Sequence, residues 1–225
     1  MNMNILCKDP KIYIVDNFIT TKECEHVIRS AMPHMEDSTV SDSTGGKKSH
    51  GRTSKNCWID HQSDSVMRHI SDRIMKQVDL PLGNAEKFQV VHYGETNEYR
   101  QHYDSWDHND SEKSLRCMKY GGPRVVTALL YLNTVSEGGS TRFTKLNIDI
   151  SAIEGRLLVF ENTHNNVSLE SIRYKHKLSE HAGMPVIKGE KTIANLWFRQ
   201  YNRKKLYVDY HPGLFSVHKN ENKAV

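Results

Sequence analysis

The chain has 225 residues, 37% of them apolar, and 31 basic against 27 acidic side chains give a formal charge of +4. A mean hydropathy of −0.67 and the lack of any apolar run near the ~20 residues of a membrane span argue against a membrane protein. The small basic excess contains no Lys/Arg run and so implies no nucleic-acid partner.

Lys11-Ile12-Tyr13-Ile14-Val15 is rich in β-formers and predicts a strand. Residues before it lack a basic stretch leading into an apolar core, so no signal peptide is expected and the expected location is cytoplasmic. Thr20 or Thr21 is placed to cap a helix carrying Cys24, Val27, Ile28 and Ala31 at helical spacing, which Pro33 stops. Glu36 to Ser54 reads as a loop, with Gly45-Gly46 at its middle. Gly51 to Ile59 returns to a strand, and Ser63-Asp64 then caps a second helix with Val66, Met67, Ile70, Ile74 and Val78 on one face. That helix ends before Pro81-Leu82-Gly83. The four cysteines, Cys7, Cys24, Cys57 and Cys117, are too widely spaced for a zinc pair or a dense disulfide framework, and reduced thiols are expected.

From Lys87 onward the pattern is strands. Phe88 to Tyr93 and Tyr99 to Asp104 come first, then a polar excursion from Ser105 to Gly122. Val125 to Leu132 is nearly continuous in apolar residues, which predicts burial on both faces. Thr141 to Phe143, Leu146 to Ile150, Arg156 to Phe160, Pro185 to Ile187 and Thr192 to Tyr201 follow. Many short strands with Gly and Asn turns argue for a β-sandwich or jelly-roll barrel.

Within this frame His102-Tyr103-Asp104 stands out. An imidazole and a carboxylate two apart on a strand share a face and supply two thirds of the 2-His-1-carboxylate set that holds non-haem Fe(II). His108-Asn109-Asp110 repeats the spacing but reads as an exposed loop, where ordering entropy would weaken binding. The third ligand is sought among His164, His176 and His181. His181 is preferred, with His176 as fallback, because Lys191 ten positions on opens the next strand and returns a cation towards the interior. Buried there, it would need an anion, such as an anionic cosubstrate.

Together, Tyr93, Tyr99, His102-Tyr103-Asp104, Arg124 to Asn133, Gly138 to Phe143, and His181 to Lys191 with Trp197 closely resemble the prolyl 4-hydroxylase family. These are Fe(II)- and 2-oxoglutarate-dependent dioxygenases built on a double-stranded β-helix. The match runs from Arg52-Thr53-Ser54 to Trp197-Phe198. The resemblance implies a mainly β fold with flanking helices (α+β), a jelly roll with N-terminal helices packed on one sheet. One domain is expected over 1–225: a buttress over about 1–86, the jelly-roll core over about 87–201 and an extension over 202–225.

By the same resemblance, His102, Asp104 and His181 bind iron, and Lys191 pairs with the distal carboxylate of 2-oxoglutarate. Tyr93, Tyr131 and Thr141 line the cosubstrate pocket, while Tyr99, Arg124 and Trp197 contact a proline-containing protein or peptide. The implied reaction consumes O2, splits 2-oxoglutarate to succinate and CO2, and hydroxylates proline, with ascorbate as reductant. The Ser38 to Ser54 loop matches the place where the family folds a flap over its peptide. One departure is Ser140, where the family motif has an acidic residue. Two other readings use the same residues. One keeps the cofactors but acts on another side chain, a free amino acid or an alkylated base. The other is a non-catalytic jelly-roll binding module, which would lack a metal ligand or the cosubstrate cation; both are present here.

Overall fold

Two antiparallel sheets face each other, and a pair of helices covers the outer face of the larger one. The computed structural model describes residues 2–38, 53–109, 111–164 and 171–212. In chain order the strands are β1 (Met3–Lys8), β2 (Lys11–Val15), β3 (Glu36–Asp37), β4 (Lys55–Ile59), β5 (Phe88–Tyr93), β6 (Tyr99–His102) and β7 (Arg124–Tyr131). They continue with β8 (Glu137–Gly138), β9 (Thr141–Phe143), β10 (Ile148–Ile150), β11 (Leu157–Glu161), β12 (His181–Gly183), β13 (Val186–Lys188) and β14 (Lys191–Arg199). The helices are α1 (Thr21–Ala31), α2 (Ser65–Val78) and α3 (Glu112–Met118).

The larger sheet has eight strands in the order β1-β2-β11-β7-β14-β5-β4-β3, and the smaller has four, β10-β9-β12-β6. β8 and β13 pair separately. This is the jelly-roll arrangement expected from the sequence. β7 lies at its centre between β11 and β14, and its side chains divide by parity, as a pleat requires. Ala128 and Leu130 pack with α1 and α2 in one core. Leu129 and Tyr131 turn to the other face and join Phe143, Ile150 and Val186 between the sheets. Both faces of the strand are therefore dry, and each of its fully buried large aliphatic side chains contributes about 1.5–3 kcal/mol.

Both helices start where the sequence placed their caps. Thr20 forms a capping box with Glu23, its hydroxyl accepting from the Glu23 N–H at 3.3 Å and its own N–H donating to the Glu23 carboxylate at 2.8 Å. Asp64 accepts from the N–H groups of Val66 and Met67 at 2.8 and 2.9 Å. α1 then buries Cys24, Val27 and Ala31, and α2 buries Met67, Ile70 and Ile74. None of the described helices is long and apolar enough to cross a membrane.

Three expectations change. Met3–Lys8, for which the sequence reading predicted no element, forms a strand by pairing along the edge of β2. The polar excursion after Asp104 contains α3, capped by the Ser111 hydroxyl. Most important for the site, β6 ends at His102, so Asp104 lies beyond the strand rather than on it. Most of the expected flap, Ser38 to Ser54, lies outside the described residues, at 39–52.

Candidate active site

His102 closes β6 and His181 opens β12, and the two are direct cross-strand partners. The chain then bends so that Asp104 turns back beneath them. One donor atom from each of His102, Asp104 and His181 lies within 4.8 Å of the others. His102 Nε2 stands 3.6 Å from Asp104 Oδ1 and His181 Nε2 stands 3.8 Å from Oδ2. The expected triad is thus assembled.

The surroundings orient each group for a metal. His102 Nδ1 donates to the Arg100 carbonyl at 2.8 Å and His181 Nδ1 to the Ser179 carbonyl at 2.9 Å. Each bond fixes the tautomer and leaves an Nε2 lone pair facing the centre. Asp104 Oδ2 accepts from Thr127 Oγ1 at 2.7 Å and from Trp197 Nε1 at 2.9 Å. With Oδ2 occupied, Oδ1 is the oxygen left for an ion. Burial alone would raise the Asp104 pKa, but His181 and His102 beside it outweigh burial and hold it far below the usual carboxylate range. His181 is pushed down to about 4, first by burial and then by repulsion from His102. At neutral pH the site offers a neutral imidazole and a carboxylate, the forms that coordinate a cation. Two imidazoles and a carboxylate, held from behind with open space in front, fit Fe(II) well.

That open space is a cavity of about 730 Å³. Lys191 reaches into it from the first position of β14, paired in register with Tyr93 on β5. Lys191 is 2% exposed, and its ammonium has no acidic partner among the described residues, lying 5.5 and 5.7 Å from the rings of Tyr93 and Tyr131. Burial pulls its pKa down to about 7. Tyr131 donates to Thr141 Oγ1 at 2.7 Å, which leaves the Thr141 hydroxyl hydrogen free to point into the cavity. Deep burial raises the Tyr131 pKa, so its hydroxyl stays protonated.

The residues expected at the peptide face also line this cavity. Tyr99 stacks on His102 with centroids 3.6 Å apart. Arg124 has a more internal job than its number of donors suggests. Nε and Nη2 grip both oxygens of Glu86 at 2.7 and 2.8 Å, and its guanidinium lies 3.6 Å from the Trp197 ring centroid. Arg199 binds the same Glu86 carboxylate at 2.6 Å. Breaking such a buried pair by removing one partner typically costs about 3–5 kcal/mol.

The other histidines go elsewhere. His108, expected on an exposed loop, is half-buried against Tyr207, with its Nε2 3.1 Å from that hydroxyl, and Asp110 lies outside the described residues. His176, the fallback third ligand, packs against His164 instead.

The 2OG-Fe(II) oxygenase superfamily profile matches residues 88–199, from the start of β5 to the end of β14. A protein of Acanthamoeba polyphaga mimivirus is 35% identical over 193 residues, covering 84% of this chain and 74% of its own. Prolyl 4-hydroxylase 5 of Arabidopsis thaliana is 33% identical over 223 residues, covering 90% of this chain and 72% of its own. The chain belongs to the prolyl 4-hydroxylase family. Among solved structures it is similar to the viral collagen prolyl hydroxylase of Paramecium Bursaria Chlorella virus-1 in its 2-oxoglutarate complex. That match has a TM-score of 0.67 and 27% identity, over 86% of this chain and 98% of that one.

As a prolyl 4-hydroxylase family member, the chain has site residues that sequence reasoning passed over. Thr127 was read only as part of a core strand, yet it is fully buried and bonds the site carboxylate. Asn162 is also fully buried and donates to Thr127 Oγ1 at 2.8 Å, extending that support. Trp58 on β4 is 49% exposed, 5.9 Å from the Trp197 ring, and forms part of the cavity wall. A tryptophan left half-exposed on a strand is the one signal that could have marked it. Ser140 bonds Asp149 at 2.9 Å, and Asp149 also pairs with Arg142. Ser140 thus joins an exposed Arg142–Asp149 pair at the position where the family motif has an acid.

Proposed function

We propose that this protein hydroxylates proline residues in a protein or peptide, using Fe(II), 2-oxoglutarate and O2. Family membership carries the chemistry. The observation that best supports it in this chain is the buried Lys191 ammonium, without an acidic partner among the described residues, in the same cavity as the His102, Asp104 and His181 donors. We assign those three as the iron ligands. Iron with 2-oxoglutarate and O2, when bound, supplies the oxidising power, releasing succinate and CO2 and leaving one oxygen atom on the substrate carbon. Ascorbate is the expected reductant.

The chain's own contribution is placement and water exclusion. Lys191 meets the distal carboxylate of 2-oxoglutarate, so the cost of its burial is offset only when cosubstrate is present. The Thr141 hydroxyl donates to the same end of the cosubstrate, held by Tyr131 behind it, and Tyr93 forms the opposite wall. Tyr99 covers His102 on the peptide side. Because Trp197 Nε1 and two Arg124 nitrogens are already committed and Arg124 covers one indole face, these residues would act on peptide through the other indole face and the remaining guanidinium N–H groups. Trp58 supplies an exposed aromatic surface suited to a proline ring. β1, β2 and β4 share one sheet with the jelly-roll strands, which supports treating 1–225 as a single catalytic domain. Four free cysteines support a reducing compartment such as the cytoplasm.

The decisive experiment incubates the purified protein with Fe(II), ascorbate, 2-oxoglutarate and proline-rich peptides. The expected result is one oxygen added to proline, read by mass spectrometry, with stoichiometric succinate. Succinate coupled to oxygen on a different residue would replace proline as the substrate.

Thr127→Val tests the support of Asp104. It removes one of two donors to Oδ2 and also orphans the buried Asn162 amide that donates to Thr127 Oγ1, so Fe(II) affinity should fall about 10–100-fold and stability by about 1–3 kcal/mol. Unchanged iron affinity would show that Trp197 alone orients the carboxylate.

A further inference from the structure

Asp9, His164 and His176 form a second group of metal-type donors, with one ligand atom from each within 4.8 Å of the other two. The group shares no residue with the catalytic triad. Asp9 sits in the turn between β1 and β2, His164 follows β11, and His176 opens the 3-10 turn Lys177–Ser179 that leads into β12. Three segments distant in sequence converge here.

Backbone bonds hold the two imidazoles together. His164 N donates to the Tyr174 carbonyl at 3.0 Å, His176 N donates to the Asn162 carbonyl at 2.8 Å, and Thr163 bridges to Lys175 between them. The rings pack with centroids 4.1 Å apart. His176 is 4% exposed, and its Nε2 lies 3.2 Å from Asp9 Oδ1. A hydrogen bond between His176 and Asp9 accounts for those two residues but gives no reason for a second imidazole against the first.

We propose that Asp9, His164 and His176 form a second divalent-cation site, of the kind that takes zinc. Two imidazoles and a carboxylate, with water as the fourth ligand, match a zinc donor set. Metal–ligand bonds of ~2.0–2.1 Å in a tetrahedron put neighbouring donors about 3.3 Å apart. The His176–Asp9 edge already has that length, and His164, half-buried on a loop, closes the third corner. His176 Nδ1 accepts from Leu178 N at 3.2 Å. With Nε2 on the ion, the ring proton moves to Nδ1 and that long contact opens.

The bound ion would pin the β1–β2 turn to the segment that positions a catalytic ring. Ser179 Oγ donates to the His176 carbonyl at 2.8 Å, and the Ser179 carbonyl accepts from His181 Nδ1 at 2.9 Å. This supporting role rests on the assignment of His181 as an iron ligand; the cation site itself does not.

The test is Zn2+ uptake by the full chain after chelator stripping, read by elemental analysis after dialysis. Wild type should hold about two equivalents, His102→Ala about one, His164→Ala about one, and the double variant none. Zn2+ should raise the Tm of His102→Ala and leave that of the double variant unchanged. Equal zinc content in His102→Ala and the double variant would overturn the second site. Two equivalents retained in His102→Ala alone would instead count against the catalytic triad. Should His164→Ala fail to fold by circular dichroism, Asp9→Asn in the His102→Ala background gives the same answer through an exposed residue.

Discussion

Asp104→Ala and His102→Ala are each expected to cut succinate formation to below about 1% of wild type, since even residues behind a metal ligand cost 10–100-fold when removed. The physical reason differs between them. Asp104→Ala removes the only carboxylate of the donor set and orphans the Thr127 and Trp197 donors that met its Oδ2. It therefore loses stability as well as iron, since buried donors left without acceptors cost about 1–3 kcal/mol each. His102→Ala removes a partly exposed ring whose Nδ1 bonds only the Arg100 carbonyl. It should fold normally. Thermal unfolding with and without Fe(II) separates these effects: the metal should raise the wild-type Tm by more than that of either variant, each of which retains only the Asp9, His164 and His176 donors. Full turnover in His102→Ala would dissolve the assigned iron centre.

How far the sequence led can be judged residue by residue. The helices were legible because their caps are local: Thr20 with Glu23, and Asp64 with two N–H groups three residues away at most. β7 was legible because a run apolar on both faces admits few other fates. His102 with Asp104 was chosen on the premise of one continuous strand, and that premise was only half right. β6 stops at His102, and Asp104 is aimed by Thr127 from β7 and Trp197 from β14, a long-range constraint that no local window carries. His108 was set aside as a ligand because its surroundings read as an exposed loop, and that description was incomplete. It is half-buried because Tyr207, about a hundred residues on, packs against it. β1 was missed because an edge strand needs only one partner and shows weak alternation. The same blindness to distant contacts hid the Asp9, His164 and His176 cluster, whose members have unremarkable neighbours in sequence. In each case the missing information was tertiary.

Lys191→Met is expected to raise the KM for 2-oxoglutarate about 10²–10⁴-fold, the 3–5 kcal/mol of a buried pair losing one partner, with the peptide KM little changed. Its effect on stability should have the opposite sign. The native pKa is depressed from 10.5 to about 7 by burial, so without cosubstrate the unfolded chain binds the extra proton between those values. Wild-type stability should therefore rise as pH increases from about 7 to about 10.5, and Lys191→Met should abolish that rise while unfolding at higher denaturant near pH 7. The same titration predicts how binding responds to pH. Binding the carboxylate requires the ammonium, so above pH 7 the free protein must take up a proton as 2-oxoglutarate enters. Apparent affinity should fall about tenfold between pH 6 and pH 8, and calorimetry in two buffers of different ionisation enthalpy should register that uptake in wild type only. A cosubstrate KM that ignores both the substitution and the pH would move the distal carboxylate to another cation. A stability gain without a KM change would leave Lys191 as a buried charge with no ligand to justify it.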